Sequence, residues 1–314
     1  MNTVPLDEQA QELLRMGQES GGQLLESLPI STVRQQVDAS LPAIGVAFEN
    51  VAQTIDVEIP ATGTQPSCAG RLYIPLSSRP GPLPTILFLH GGGWACCGYA
   101  THDALFRYFA NRTSAAVLAL DFRLAPEHKF PSAFDDCVRA MEWLLSGPRE
   151  DLDPTRLALA GDSAGGNLAA AVAARFAGEP RLRHQLLLYP VLDSSERYPS
   201  HEEYGAGYFL DNSTMDWFVG QYARSAADTL DPRFSPVHAS SFAGVTATTL
   251  MACGYDINRD ASLRYTDRLR AAGVVCDTRL FEGLPHGFAS MAGFIASAHV
   301  PLEQGATALR EALK

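Results

Sequence analysis

Residues 157–174 read LALAGDSAGGNLAAAVAA. An apolar run suited to a strand buried on both faces passes through glycine, aspartate and serine straight into an alanine-rich stretch suited to a helix. Gly161 and Gly165 flank Ser163 and permit the sharp backbone turn that a direct strand-to-helix passage needs. In this setting G-x-S-x-G exposes the serine hydroxyl above the sheet, with a helix N-terminus behind it that favours developing negative charge. The pattern alone is a weak signal because small residues cluster in turns. A strand before it and a helix after it make it informative.

Outward from this point, short apolar runs recur: TILFL at 85–89, AAVLAL at 115–120, RLALA at 156–160, QLLLY at 185–189, TTLMA at 248–252 and DTRLF at 277–281. Helical patterns separate them, which predicts an α/β fold with a mostly parallel central sheet flanked by helices. TIDVEIP at 54–60 and CAGRLYIP at 68–75 alternate more and predict an antiparallel hairpin at one edge. Helices are expected around 7–18 and 31–39. The rhythm breaks over 193–232, an aromatic stretch in which Ser213 and Asp216 resemble a capping box opening a helix with Trp217, Phe218 and Tyr222. The expected division is a core over 46–192 and 233–314, with 1–45 and the 193–232 insertion covering one end of the sheet. There is no internal repeat.

The chain has 314 residues, 46% hydrophobic and 19% charged, as expected of one large globular domain with insertions. A net charge of −11 argues against nucleic acid as a partner, since phosphate backbones demand basic patches. The N-terminus has no secretory pattern and no stretch is apolar enough to span a membrane, so a cytoplasmic location is expected. The six cysteines are scattered without metal-ligand spacing and are read as free thiols. The oligomeric state is left open, a homodimer included.

A serine hydroxyl at neutral pH needs a base held by a third group. His286, in EGLPHGF beyond the last apolar run, and Asp256, in CGYDINRD just after another, complete the order Ser, Asp, His. Asp260 lies in the same interval and is an alternative acid. The stretch HGGGWACCG at 90–98 puts three glycines directly after a strand. Backbone N–H groups of Gly92 and Gly93 there, together with that of Ala164 just after the serine, suit an oxyanion hole, worth about 3–4 kcal/mol per donor. His90 shapes this loop. Cys96 and Cys97 have no paired base and read as inert thiols.

HGGGW, GDSAGGNLA, DFRLAPEHKFP and the late D…HGF resemble the hormone-sensitive-lipase-like microbial esterases over about 85–290. The resemblance implies an α/β-hydrolase fold with a helical cap and hydrolysis of short- to medium-chain acyl esters. It puts the nucleophile at Ser163, the acid at Asp256 and the base at His286, with no cofactor or metal. GYFLDNSTMDWFVGQY is similar to the family's cap. Trp94, Tyr204, Tyr208, Phe209, Trp217 and Phe218 are the candidate substrate-binding residues, although the aromatic stripe of the insertion equally suits the cap's own core. The chain departs from the family at Phe122, where a tyrosine is usual, in the residues after Asp256, and at Cys96 and Cys97. An amidase or deacetylase with the same triad is an alternative. So is a non-catalytic small-molecule receptor, as among plant gibberellin receptors, but those have lost the histidine that this chain keeps at His286.

Overall fold

The computed structural model describes residues 4–21, 24–63, 65–77 and 80–314. The apolar runs become strands: β1 (Gln53–Ile59), β2 (Cys68–Ile74), β3 (Leu83–Leu89), β4 (Ala116–Asp121), β5 (Leu152–Asp162), β6 (Leu182–Leu188), β7 (Thr248–Tyr255) and β8 (Cys276–Pro285). They form one sheet in the order β1-β2-β4-β3-β5-β6-β7-β8. β1 and β2 are the expected antiparallel edge hairpin, β2 also runs antiparallel to β4, and every other pairing is parallel.

The helices are α1 (Glu8–Glu19), α2 (Ile30–Ile44), α3 (Tyr99–Thr113), α4 (Ser132–Leu145), α5 (Ala164–Arg175), α6 (Pro199–Tyr204), α7 (Asn212–Tyr222), α8 (Arg259–Ala271) and α9 (His299–Ala312). The period of two along β3 sends Ile86 and Phe88 into a core shared with α1, α3 and α9, and Leu87 and Leu89 into one shared with α4, α5 and α8. Both faces are covered, so the parallel strands read as continuous apolar runs. Each large aliphatic or phenyl side chain so buried contributes roughly 1.5–3 kcal/mol. α5 approaches β3 so closely that a Cβ on Gly165 would collide with the Leu89 carbonyl, which explains why the serine turn ends in glycine.

Three elements differ from expectation. β5 begins at Leu152, before the apolar run, because pairing with Leu83 of β3 across a register shift extends it. α2 runs to Ile44 rather than stopping near 39. The Ser213–Asp216 capping box does not form: α7 starts at Asn212 with Asp211 as its N-cap and no side-chain capping bond, and Asp216 pairs with Arg197.

Candidate active site

The parallel strands all deliver their C-terminal ends to one edge of the sheet, and the site is assembled there. Ser163 follows β5 with φ 53° and ψ −119°, a region that costs a non-glycine residue free energy and persists only where surroundings enforce it. They do: the Ser163 N–H donates to the Leu188 carbonyl at 2.9 Å, and its own carbonyl accepts from Asn167 at 3.0 Å and Val191 at 3.2 Å. The hydroxyl is thereby aimed out of the sheet.

His286 directly follows β8, with Nε2 2.9 Å from Ser163 Oγ and Nδ1 2.8 Å from Asp256 Oδ2. Asp256, just past β7, is buried, and its other oxygen accepts from the Asn258 backbone N–H at 2.8 Å and side-chain amide at 3.2 Å. The two carboxylate oxygens are therefore divided between a fixed anchor and the imidazole. Asp260 is turned elsewhere, accepting from Ser200 N at 2.9 Å in the first turn of α6 and from Arg259 Nε at 2.7 Å. The edge of the Tyr189 ring meets the His286 ring at 4.9 Å between centroids.

β3 leads into the glycine loop. Gly92 and Gly93 have φ of 105° and 59°, which glycine adopts without strain. Among the described residues, the N–H groups of Gly92, Gly93 and Ala164 donate to no backbone carbonyl. A side chain on Gly93 would collide with the Phe218 ring. Behind the loop, Asp162 Oδ1 accepts the Gly91 N–H at 2.9 Å and lies 3.3 Å from His102 Nε2. Burial disfavours the Asp162 carboxylate, but His102, then His90 and the Gly91 N–H, outweigh it and hold the carboxyl below its ordinary value. Burial, reinforced by the neighbouring His102, pushes His90 down to about 4. Phe122, which lacks the family's hydroxyl, stacks on the His90 ring at 4.3 Å.

Above these groups lies a cavity of about 230 Å³. Gly92, Gly93, Ser163 and His286 line it on one side. Leu25, Val37 and Leu41 from the N-terminal segment, with Phe209, Leu210, Met215 and Phe218 from the insertion, line it on the other. Of the aromatic candidates, Phe209 and Phe218 reach this cavity. Trp94 borders it too, but its indole is fully buried, stacked on Tyr222 at 4.9 Å and donating to Asn167 at 3.2 Å, so it braces the wall from behind. Tyr204, Tyr208 and Trp217 lie outside the lining. The two tyrosines are drawn into a ring cluster with Tyr255, 5.1 and 5.2 Å away, and Trp217 sits on the flank of α7 against the edge of Phe218. Its place two residues after Asp256 could have singled out Asn258. No signal in the sequence marks Leu25, in a short 3-10 turn, or Val37 and Leu41 of α2, because an aliphatic residue reads the same whether it faces core or cavity.

A second serine, histidine and aspartate also meet, at Ser195, His238 and Asp193. Both contacts, at 2.7 and 3.3 Å, fall on the same imidazole nitrogen, so the ring cannot pass a proton from one partner to the other. Among the described residues no cluster of side chains suits a metal ion, and no helix is long and apolar enough to cross a membrane.

Sheet, serine turn and imidazole arrangement together are those of an α/β hydrolase. The family model described as alpha/beta hydrolase fold matches residues 86–290. Similar proteins include an ethyl acetate hydrolase of Pseudomonas putida, 33% identical over 308 residues that cover 96% of either chain. An ester hydrolase from the metagenome of Lake Arreo, solved with a bipyridine phosphonate derivative, superposes with a TM-score of 0.91 at 34% identity over 98% of each chain. A thermostable esterase from Pseudomonas putida gives a TM-score of 0.93 at 29% identity over 100% of this chain and 99% of that one. The chain belongs to the hormone-sensitive-lipase-like esterases of the α/β-hydrolase family and is a carboxylic ester hydrolase.

Proposed function

We propose that the protein hydrolyses small esters of short- to medium-chain acids through an acyl-enzyme on Ser163. His286 takes the serine proton and returns it to the leaving alcohol, Asp256 holds the imidazole in the required tautomer, and water repeats the cycle in reverse order. The amides of Gly92, Gly93 and Ala164 receive the oxyanion. The observation that carries this reading is the continuous contact from Ser163 Oγ to His286 to Asp256, 2.9 and 2.8 Å long, on the floor of an apolar cavity. Residues 1–45 and 193–232 act together as a cap, supported by their joint contribution to the cavity wall.

The size of the cavity supports acyl chains of roughly two to eight carbons, since each methylene gains about 0.8 kcal/mol only until the pocket ends. A rate profile over p-nitrophenyl esters of graded length, with burst release of one nitrophenolate per chain, tests the reading. A maximum among the short esters is expected. A rise continuing to about sixteen carbons would overturn the chain-length assignment, and absence of an acyl-enzyme would overturn the mechanism.

A further inference from the structure

Cys96 and Cys97 are adjacent in sequence and both border the cavity that holds Ser163. Their sulfurs lie 3.9 Å apart. Cys96 is almost wholly buried and its S–H donates to the Gly92 carbonyl at 3.2 Å. That carbonyl also accepts the N–H groups of Ala95 and Cys96, at 3.1 and 3.0 Å, so three donors from the following turn fix the Gly92 peptide. Cys97 is only partly buried and has φ 71°, which curls its side chain back over the same glycine: a Cβ on Gly92 would lie 2.8 Å from Cys97 Sγ. Backbone geometry thus holds two free thiols on one side of the peptide that sets the direction of the glycine-loop amides.

Two neutral thiols so placed, at the edge of an apolar cavity, suit a soft electrophile that forms two bonds to sulfur. A hard or borderline cation would need further ligands, and among the described residues no third metal-binding side chain joins the pair. We propose that Cys96 and Cys97 form a vicinal dithiol site for an organic trivalent arsenical, and that its occupation shuts down the neighbouring ester-hydrolase centre. In the reaction R–As=O condenses with both thiols. Two S–H bonds and the bonds from arsenic to oxygen break, two As–S bonds form, and the oxygen leaves as water carrying both thiol protons. Arsenic stays trivalent, so no oxidant or reductant is consumed. The apolar walls favour an aryl or alkyl substituent over inorganic arsenite.

Occupation acts in two ways. It removes the Cys96 S–H bond to the Gly92 carbonyl, and it fills the cavity beside Ser163. The hydrogen bond with Cys96, and then burial, push the Cys97 thiol well above its ordinary value, so alkylating reagents that need thiolate react slowly there. Condensation with an arsenical starts from the protonated thiols.

The test treats the full chain with an equimolar amount of phenylarsine oxide and reads intact mass, peptide mapping and hydrolysis of p-nitrophenyl butyrate. One phenylarsenic group per chain, less two hydrogens, should appear on the peptide holding residues 96 and 97. Hydrolysis should fall by about 10²-fold, the scale of losing one oxyanion-hole donor. Dimercaptopropanol should restore it, and a monothiol at the same concentration should not. In Cys96→Ser and Cys97→Ser the adduct and the ratio of untreated to treated rates should both collapse, whereas Cys276→Ser should behave as wild type. Mapping on the wild-type chain decides the matter even if a variant fails to fold. An adduct elsewhere, or none, overturns the site, and an adduct at residues 96 and 97 with unchanged hydrolysis overturns the control. The mass readout does not depend on catalysis, so failure of this site and failure of the serine mechanism are told apart.

Discussion

The floor and the roof of the cavity are built by different physics. The floor is polar and fixed by bonds of short reach: Asp162 holds Gly91, Asn258 holds Asp256, and Asn167 gives its amide to the carbonyls of Val191 and Phe234, each at 2.7 Å, while accepting the Trp94 indole. The roof is apolar, made of side chains more than a hundred residues apart in the chain. Its polar ties lie at its edges: Lys129 donates to the carbonyls of Gly220, Gln221 and Ala223 at 3.1, 2.8 and 2.9 Å, and Arg259 pairs with Glu203 at 3.1 Å. Arg34 of α2 donates to the carbonyls of Ala95 and Ala125, each at 2.8 Å, and pairs with Glu127, and Thr214 donates to Glu26 at 3.2 Å. A reacting centre loses rate with small displacements, whereas an apolar wall has only to be the right size. Changes to the floor should therefore alter turnover by orders of magnitude, and changes to the roof should alter selectivity by small factors.

The largest effect expected is from Ser163→Ala, about 10⁶-fold in kcat with an unchanged melting temperature. Retention of a tenth of the rate in protein free of contaminating esterase would refute the nucleophile. Next, Asp256→Asn should lower kcat by about 10⁴-fold, because the amide favours the wrong imidazole tautomer, and Asp260→Asn by less than about tenfold. The reverse ranking would transfer the acid to Asp260.

Buried imidazoles, His90 behind the floor and His184 near the start of β6, also have a cost in acid. His90 and His184 are both pushed down to about 4 by burial, His90 further by its neighbour His102. Each is neutral in the folded chain but takes up a proton when unfolded below the ordinary imidazole value. Stability should thus be complete above about pH 6.5 and fall toward pH 4, by up to about 1.4 kcal/mol per pH unit for each group. Melting temperatures measured across that window should fall less steeply in His90→Gln, and an unaltered slope would remove His90 from the account.

The roof predictions are smaller. Phe218→Ala should move the preferred acyl chain upward, with each additional methylene accommodated worth about 0.8 kcal/mol, or roughly fourfold in kcat/KM. An unchanged profile over graded esters would mean that Phe218 does not bound the acyl site. Arg34→Ala should lower kcat/KM by only about threefold, since its ion pair is half exposed and such pairs contribute about 0–1 kcal/mol. A loss of about a hundredfold would show that the roof positions the glycine loop after all.

The sequence by itself determined whatever depends on local backbone torsion and periodicity. The serine turn is legible because a strand can pass directly into a helix around an exposed side chain only with small neighbours, and the glycine loop because positive φ selects glycine. Continuous apolar runs revealed the parallel sheet and alternating ones the edge hairpin. Tertiary structure alone decided what depends on contact between distant residues. Asp256 and Asp260 are the same residue type four positions apart, and only the path of β7 into α8 turns one toward His286 and the other toward α6. Tyr204, Tyr208 and Phe209 look equivalent in sequence, yet ring packing on Tyr255 keeps the first two out of the cavity and leaves Phe209 in its wall. Dispersion and apolar burial are non-directional and accept many side chains at each position, so the contacts that shape the roof leave no local pattern to read.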